Sequence, residues 1–300
     1  MARRFIYAAI LLLGLLATWY FFLRAYNYRV TFKINNPKGV VYEQILRWND
    51  LKPKSQKVVS TVNKTPFTKI EQDYRPSQDS IIGITWQLKK VNDSITKVSG
   101  YFTDKNSSFG QKAKMLFSKT DFVKRSLNFA KNLRQFIHFE IKSHKISGID
   151  TISMPSKKAL YTSVKTTTSK KAQKMIADNS FIMGYITRNN LALDGYPFVK
   201  IESWNKQNDS IDFKFCFPIK EQHLGTHNEI KYAEFEEFEA MQILFNGNYS
   251  KSHRAWYAFE DYFEENRIKR KVLPTEVFLN DPQLGGEDIN WSARILIPLN

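Results

Sequence analysis

Close to its N-terminus the chain has an uncharged apolar run that is long enough to cross a bilayer. Nineteen residues, from Phe5 to Leu23, carry no charge. As a helix they rise about 28 Å, close to the roughly 30 Å of a bilayer core. A cleaved signal peptide is the alternative, but the run ends in large aromatic residues rather than the small residues of a cleavage site. We therefore predict an uncleaved, single-pass transmembrane anchor within residues 1–26.

The basic residues on the two sides of this anchor nearly balance. Arg3 and Arg4 precede the apolar run, and Arg24, Arg29 and Lys33 follow it. A short basic segment before an apolar run is typical of chains that enter the secretion route. We therefore expect the N-terminus inside and the body of the protein on the extracytoplasmic side.

The net charge of +16 belongs entirely to the first half of the 300-residue chain. Residues 1–150 hold 26 Lys and Arg against 10 Asp and Glu, whereas residues 151–300 hold 19 of each. This division indicates two soluble domains with different surfaces. The sequence has no zinc-finger spacing, no RNA-binding signature and no recognisable helix-turn-helix, so we expect no direct nucleic-acid partner.

Few residues in the sequence fit a cofactor, metal or catalytic site. The single cysteine, Cys216, excludes an intrachain disulfide and is expected to be a small buried apolar residue. His223 and His227 are four residues apart, but Gly225 lies between them and no acidic third ligand stands at helical spacing. There is also no phosphate-binding glycine loop and no nucleophile elbow. We therefore expect no cofactor, no metal and no catalytic residue.

The first soluble region alternates short strand patterns with helical ones. Its predicted elements are a strand over Val30, Phe32 and Ile34, a helix from Val40 to Leu46, strands from Ile81 to Leu88 and from Ile95 to Phe102, a turn at Asn92-Asp93, and a long helix from Gln111 to Phe139. The apolar stripe of the long helix is predicted to contain Leu116, Val123, Leu127, Ala130, Leu133 and Ile137. Its lysines and arginines lie largely elsewhere. They form an ordinary solvated face or, as the alternative, a contact with anionic lipid.

This order of elements resembles the SRPBCC, or helix-grip, family. The residues that carry the resemblance are Tyr28 to Pro37, Val41-Tyr42, Trp48, Ile84 to Leu88 and Thr96 to Val98. The resemblance implies a helix-grip domain over residues 27–148, with an apolar ligand between its sheet and its long helix. Whether that pocket is open stays undecided, because five phenylalanines could fill it: Phe109, Phe117, Phe122, Phe129 and Phe136.

The second soluble region contains two copies of a β-α-β-β pattern. The first copy comprises a strand from Ala159 to Thr166, a helix from Ser169 to Asn189, and strands from Pro197 to Trp204 and from Ser210 to Pro218. The second comprises a strand from Phe235 to Phe245, a helix from Ser250 to Arg267, and strands from Pro274 to Leu279 and from Ser292 to Pro298. We predict that the two copies join their sheets and leave a groove between the helices and the shared concave surface.

The second copy resembles the GyrI-like effector-binding domain. Its matching residues are Gly247 to Tyr249, Ala255-Trp256, Tyr262-Phe263, Leu273 to Pro282 and Ile295 to Leu299. The resemblance covers residues 151–300 and implies a small-molecule pocket with aromatic walls and a carboxylate. The fold class predicted for the whole chain is therefore α+β: a transmembrane helix, a helix-grip domain and a duplicated GyrI-like domain.

Glu276 is the candidate pocket carboxylate. Strand alternation alone leaves open whether it faces the interior or solvent, and the resemblance implies the pocket. The expected aromatic walls are Tyr249, Trp256, Tyr262, Tyr196 and Trp204.

Arg294 stands where many members of that family carry a second carboxylate, and Lys214 is its counterpart in the first copy. If Glu276 and Arg294 both face the pocket, they form a side-by-side pair on neighbouring strands. Such a pair neutralises the acid, so the expected ligand is a neutral or zwitterionic amphipathic molecule.

These features favour a membrane-anchored, non-enzymatic protein that binds a small amphipathic or apolar ligand and has no DNA-binding domain of its own. One alternative is a GyrI-like hydrolase of small reactive molecules that uses Glu276. The other is an interaction protein whose pockets are filled.

Overall fold

The computed structural model describes residues 2–48, 59–92, 95–220 and 227–299. The chain divides into two compact units, Met1–Glu140 and Ile141–Asn300. Asn92 of the predicted Asn92-Asp93 turn is the last residue of a described strand, whereas Asp93 and His223 lie outside the described residues. The domain boundaries at 27–148 and 151–300 stay predictions.

The N-terminal helix α1 (Ala2–Thr18) continues into a π-helical turn, Trp19–Leu23. The segment Arg3–Leu23 is long and apolar enough to cross a bilayer, with a mean hydropathy of 2.1. None of it is buried in the structure, so it is not the core helix of a soluble domain. A signal sequence passes the same test of length and composition.

The rest of the first unit is an antiparallel sheet with three helices. Its strands are β1 (Tyr28–Ile34), β2 (Val59–Thr65), β3 (Lys69–Ser77), β4 (Ser80–Asn92) and β5 (Ile95–Asp104), and its helices are α2 (Lys38–Arg47), α3 (Ser108–Met115) and α4 (Asp121–Ile141). The strands pair in the order β1-β5-β4-β3-β2. The described elements are therefore mixed α+β.

The single long helix predicted from Gln111 to Phe139 is wrong, because the structure breaks it between α3 and α4. The break ends at Thr120, whose hydroxyl accepts the Val123 N–H (3.4 Å) and so begins α4. Two members of the predicted stripe are exposed: Leu116 lies in the break after α3, and Leu127 lies within α4 but outside its buried face. The buried face of α4 instead consists of Phe122, Ser126, Phe129, Ala130, Leu133 and Ile137.

Trp86 fills the space between the sheet and α4 at the centre of the first unit. Its side chain is fully buried, and its indole N–H donates to Gln72 Oε1 (3.0 Å). The Phe129 ring stacks on it with centroids 6.3 Å apart, and Phe102 contacts its edge at 5.7 Å. On β5, Gly100 lies directly opposite Trp86 and leaves room for the indole.

Replacing Gly100 with alanine is expected to destabilise the first unit by about 1–3 kcal/mol, the usual cost of overpacking a core. The new Cβ would lie 2.5 Å from Trp86 Cζ3 and 3.1 Å from the buried Phe102 ring. Urea denaturation of the full chain in detergent measures the effect. The control is Gly83→Ala, whose Cβ would meet only the flexible Lys105 side chain. Equal stability of the two variants would contradict the packing described for Trp86.

The second unit is a sheet of nine described strands with two helices. The strands are β6 (His144–Ile146), β7 (Asp150–Met154), β8 (Lys157–Thr167), β9 (Phe198–Asn205), β10 (Ser210–Pro218), β11 (Lys231–Phe235), β12 (Phe238–Gly247), β13 (Thr275–Phe278) and β14 (Ser292–Pro298). The helices are α5 (Lys171–Arg188) and α6 (Arg254–Glu265), which follow the 3-10 turns Thr168–Lys170 and Tyr249–Lys251. The strand predicted from Phe235 to Phe245 corresponds to β12, whereas β11, which ends at Phe235, was not predicted.

The strands of the second unit pair in a nearly symmetric order, β11-β8-β10-β9-β13-β14-β12-β6, with β7 also on β12. The set β8-β10-β9 is followed by β13-β14-β12, so β9 and β13 meet at the centre. Their contact sets Val199 opposite Glu276. Helices α5 and α6 contribute to one apolar core with the sheet, through residues such as Ile182 and Phe259. This order is compatible with two joined β-α-β-β units, and the duplication itself stays a prediction.

Candidate functional site

Glu276 is fully buried between the central strands and the two helices of the second unit. Successive side chains of β13 point to opposite faces of the sheet. Glu276 and Phe278 therefore face the helix side, whereas Val277 belongs to the apolar cluster on the other side. A carboxylate in such an interior is stable only with hydrogen-bond partners or an opposite charge.

Three side chains from the helical layer surround the Glu276 carboxylate. The Trp256 indole N–H donates to Oε1 at 2.7 Å. The Ser252 hydroxyl lies 3.2 Å from Oε1 and 3.0 Å from Oε2. The Lys171 ammonium forms an ion pair with Oε2 and donates to Ser252 Oγ at 2.8 Å. We call these four residues the Glu276 cluster.

Lys171 supplies the positive charge of the Glu276 cluster. Its side chain is fully buried, and this burial lowers the pKa of the Lys171 ammonium, while the Glu276 carboxylate acts in the opposite direction. The ammonium also lies 5.0 Å from the centroid of the Trp256 ring, a cation–π distance. The cluster therefore already contains what a cationic ligand would contribute: a positive charge held by a carboxylate and an aromatic face.

The predicted side-by-side pair of Glu276 and Arg294 is wrong. In the β13–β14 register Arg294 lies opposite Val277, and Glu276 lies opposite Ile295. Cross-strand partners share one face of a sheet. Arg294 is therefore on the face away from the helices, where it is exposed. The carboxylate is neutralised by Lys171 instead.

The aromatic candidates are distributed unevenly around the cluster. Trp256 belongs to it, and Trp204 packs on Trp256 with ring centroids 5.3 Å apart. Tyr249 is buried, but its hydroxyl donates to the Ser292 carbonyl (2.9 Å), and burial raises its pKa to about 12. Tyr262 is half-buried and Tyr196 is 56% exposed. Among the described residues, these last two make no hydrogen bond or ring contact with the cluster.

A groove in the second unit has a volume of about 520 Å³, in the range of small-molecule sites, and Trp204 is one of its lining residues. It is formed by the end of β9 and the segment that leads into β13. We call it the Trp204 groove. Its lining residues are Glu202, Ser203, Trp204, Asn205, Lys206, Lys271, Val272 and Leu273. Because Trp204 contacts Trp256, two indole rings connect the groove to the buried carboxylate.

Two members of the cluster, Lys171 and Ser252, were not among the predicted site residues. Lys171 directly follows the 3-10 turn Thr168–Lys170, and Ser252 directly follows the 3-10 turn Tyr249–Lys251, so the two occupy equivalent positions in the two predicted copies. Aligning the two copies through these turns would have set Lys171 beside Ser252. Only that alignment could have indicated a contact between Lys171 and Ser252, because a lysine at the start of a helix is usually an ordinary solvated residue.

His227 does not point to a metal site. Its Nδ1 accepts the backbone N–H groups of Glu229 (3.1 Å) and Ile230 (3.2 Å), as in a local turn. Within the described part of the chain, no group of three or more His, Cys, Asp or Glu side chains is placed to hold a metal ion.

Comparison with known proteins gives only distant likenesses. No family model and no curated protein matches the sequence. Among solved structures, the EcmrR C-terminal domain is 15% identical, with a TM-score of 0.42 over 50% of this chain and 96% of that one. SAV2435 bound to tetraphenylphosphonium is 11% identical, with a TM-score of 0.35 over 51% and 94%. A hydrolase from Listeria innocua is 13% identical, with a TM-score of 0.32 over 50% and 90%. TM-scores this low do not establish a shared fold or function.

Proposed function

We propose that this protein binds a small amphipathic or apolar molecule in the Trp204 groove of its GyrI-like second unit and does not transform it. The observation that carries the proposal is the groove itself. It has the volume of a small-molecule site, and its aromatic wall, Trp204, packs on Trp256 of the buried Glu276 cluster. Ligand sites combine apolar or aromatic walls with polar groups that orient the ligand. Here Trp204, Val272 and Leu273 form the apolar part of the lining, and its other five residues are polar or charged.

The charge around the groove favours a neutral or zwitterionic ligand over a cation. The buried carboxylate already has Lys171 as its partner. In the groove, Glu202 forms an ion pair with Lys214 at 2.6 Å. Lys206 forms an ion pair with Glu260. Lys271 adds one further positive charge to the groove lining. A cation would therefore compete with Lys214 for the one carboxylate of the described lining, that of Glu202.

The hydrolase alternative needs Glu276 to activate a water or attack a substrate. The carboxylate has no exposed surface, and its two oxygens contact Trp256, Ser252 and Lys171. A general base must come within hydrogen-bond reach of the proton that it removes. We therefore propose binding rather than catalysis for this site.

A second candidate is an interaction protein whose interiors are filled. Two observations favour it: Trp86 occupies the space under α4 in the first unit, and the Glu276 cluster is completely enclosed in the second. In that case the Trp204 groove holds no small ligand, and the helix-grip and GyrI-like arrangements serve as scaffolds. The experiment below separates the two candidates.

We place the protein at a membrane, held by the apolar segment Arg3–Leu23, with the body of the chain on the extracytoplasmic side. The length and mean hydropathy of 2.1 of this segment support a single span.

Replacing Trp204 with alanine is expected to weaken ligand binding at least tenfold, because the indole forms the aromatic wall of the groove. The measurement is fluorescence titration of the full chain in detergent with a panel of neutral amphipathic dyes, with the products checked for turnover. The matched control is Tyr196→Ala, which removes an exposed aromatic ring that does not line the groove. Saturable binding without turnover supports the proposal. Turnover would favour the hydrolase, and no binding would favour the interaction protein.

A further inference from the structure

The helix α3 is tied to the end of the apolar N-terminal segment. Its Lys112 is buried, and the ammonium donates to the carbonyls of Phe21 (3.0 Å) and Arg24 (2.6 Å). In return, the Tyr20 hydroxyl donates to the Lys112 carbonyl at 3.1 Å. These bonds satisfy carbonyls of the last helical turn, which have no partner within the helix itself. They hold α3 beside the point where the apolar segment ends.

A second connection comes from Asn27, a fully buried residue between the apolar segment and β1. Its side-chain amide donates to the Ser108 carbonyl at 2.7 Å, and its oxygen accepts the Asp104 N–H at 2.9 Å. Arg24 also donates to the Asn27 carbonyl at 2.8 Å. The start of α3 is therefore fixed to the connecting segment by several hydrogen bonds, and no flexible linker separates it from the end of the apolar helix.

Three large apolar side chains of α3 and the turn after it are exposed. Phe109 is 58% exposed, Leu116 57% and Phe117 89%. We call these three residues the α3 surface. Phe109 also contacts the end of the apolar segment, with ring centroids 5.1 Å from Phe21 and 6.0 Å from Phe22. The α3 surface is thus continuous with the apolar side chains of the N-terminal helix.

We propose that the α3 surface lies in the interface of the bilayer that the N-terminal helix crosses, with its phenylalanines at the boundary of headgroups and acyl chains. This proposal rests on the membrane anchor proposed above. Phe21 and Phe22 stand near the end of the span, so a helix whose Phe109 packs on them lies at headgroup depth. An apolar face with basic residues around it is typical of interfacial helices.

The charges beside the α3 surface suit an anionic lipid surface. Lys114 and Lys119 are both exposed in the same stretch as Leu116 and Phe117. The segment 105–119 contains no acidic residue. Lysines near a membrane are attracted to anionic headgroups. The proposed partner is therefore phospholipid, and the contact is made by α3 and its turn rather than by the basic face of the longer helix α4.

Spin labels at single cysteines test this proposal in the full chain, reconstituted in nanodiscs of phosphatidylcholine mixed with phosphatidylserine. The label positions are Phe117→Cys on the α3 surface, Leu11→Cys within the span, and Phe139→Cys. Phe139 is equally apolar and exposed, about 26 Å along α4 from Phe122. The native Cys216 is fully buried, and burial raises the pKa of its thiol, so the unmodified chain is the unlabelled control.

We expect the labels at 11 and 117 to collide with dissolved oxygen several-fold more often than with a water-soluble nickel complex, and the label at 139 to show the reverse preference. A water-exposed label at 117 together with a lipid-exposed label at 11 would overturn the α3 contact and leave the anchor in place. Water exposure at both 11 and 117 would overturn the anchor and the contact together. Lipid exposure at 139 as well as 117 would contradict a contact confined to the α3 surface.

Discussion

Replacing Glu276 with glutamine is expected to lower the free energy of unfolding by about 3–5 kcal/mol, the usual cost of removing one partner of a buried ion pair. Glutamine is nearly isosteric and retains an oxygen for the Trp256 N–H, so little packing changes. What it removes is the negative charge beside the fully buried Lys171 ammonium. Urea denaturation of the full chain in detergent gives the change directly.

A double-mutant cycle tests whether this loss comes from the ion pair. Lys171→Met alone is expected to destabilise by a similar amount, because it leaves the carboxylate uncompensated. The double variant should recover most of the stability, since an uncharged pair of similar volume is often as stable as a buried ion pair. The control is Glu202→Gln, which breaks the partly exposed pair with Lys214 and should change stability by less than about 1 kcal/mol. Strictly additive effects of the two single variants would contradict a direct pair.

The second large effect is expected from Lys171→Ala, which removes the buried ammonium together with its stem. This variant should lose about 3–5 kcal/mol and leave a cavity between the Trp256 ring and the Glu276 carboxylate. Added n-butylammonium should enter that cavity and restore stability. Binding to the folded state alone adds about 2.7 kcal/mol when the ligand is at 100 times its Kd.

Three comparisons make this rescue specific. Neutral 1-butanol, which has a similar shape without the charge, should restore much less stability to Lys171→Ala. The unmodified protein should not respond to butylammonium, because Lys171 occupies the site. Lys206→Ala, which opens the partly exposed pair with Glu260, should also not respond. Equal rescue by the alcohol and the amine would show that the cavity is filled without any charge preference.

Local sequence patterns predict much of this fold, and their failures have local causes. The strands and helices of the second unit follow clear alternation and helical periodicity, so most were predicted within a few residues of their bounds. Strands β2 and β3 were missed because they are polar: among the seven residues of β2 only Val59 is buried. The break before α4 was missed because its sequence, Ser118-Lys119-Thr120, contains neither glycine nor proline.

The site was harder to predict because its contacts are distant in sequence. Glu276 and Trp256 were chosen through a family resemblance, and the structure joins them by a hydrogen bond. Lys171 is 105 residues from Glu276, and no pattern near either residue indicates their contact. The position of Arg294 depends on the register between β13 and β14, and a shift of one residue changes the face on which a side chain lies.

We propose that the second unit binds an uncharged small molecule because its carboxylate is already neutralised by Lys171. The most direct test is calorimetric titration of the full chain with an aromatic amphipathic dye in two forms, one neutral and one a quaternary ammonium of the same ring system. We expect the neutral form to bind more tightly to the unmodified protein, and Lys171→Ala to shift the preference towards the cation. Tighter binding of the cation by the unmodified protein would contradict the claim.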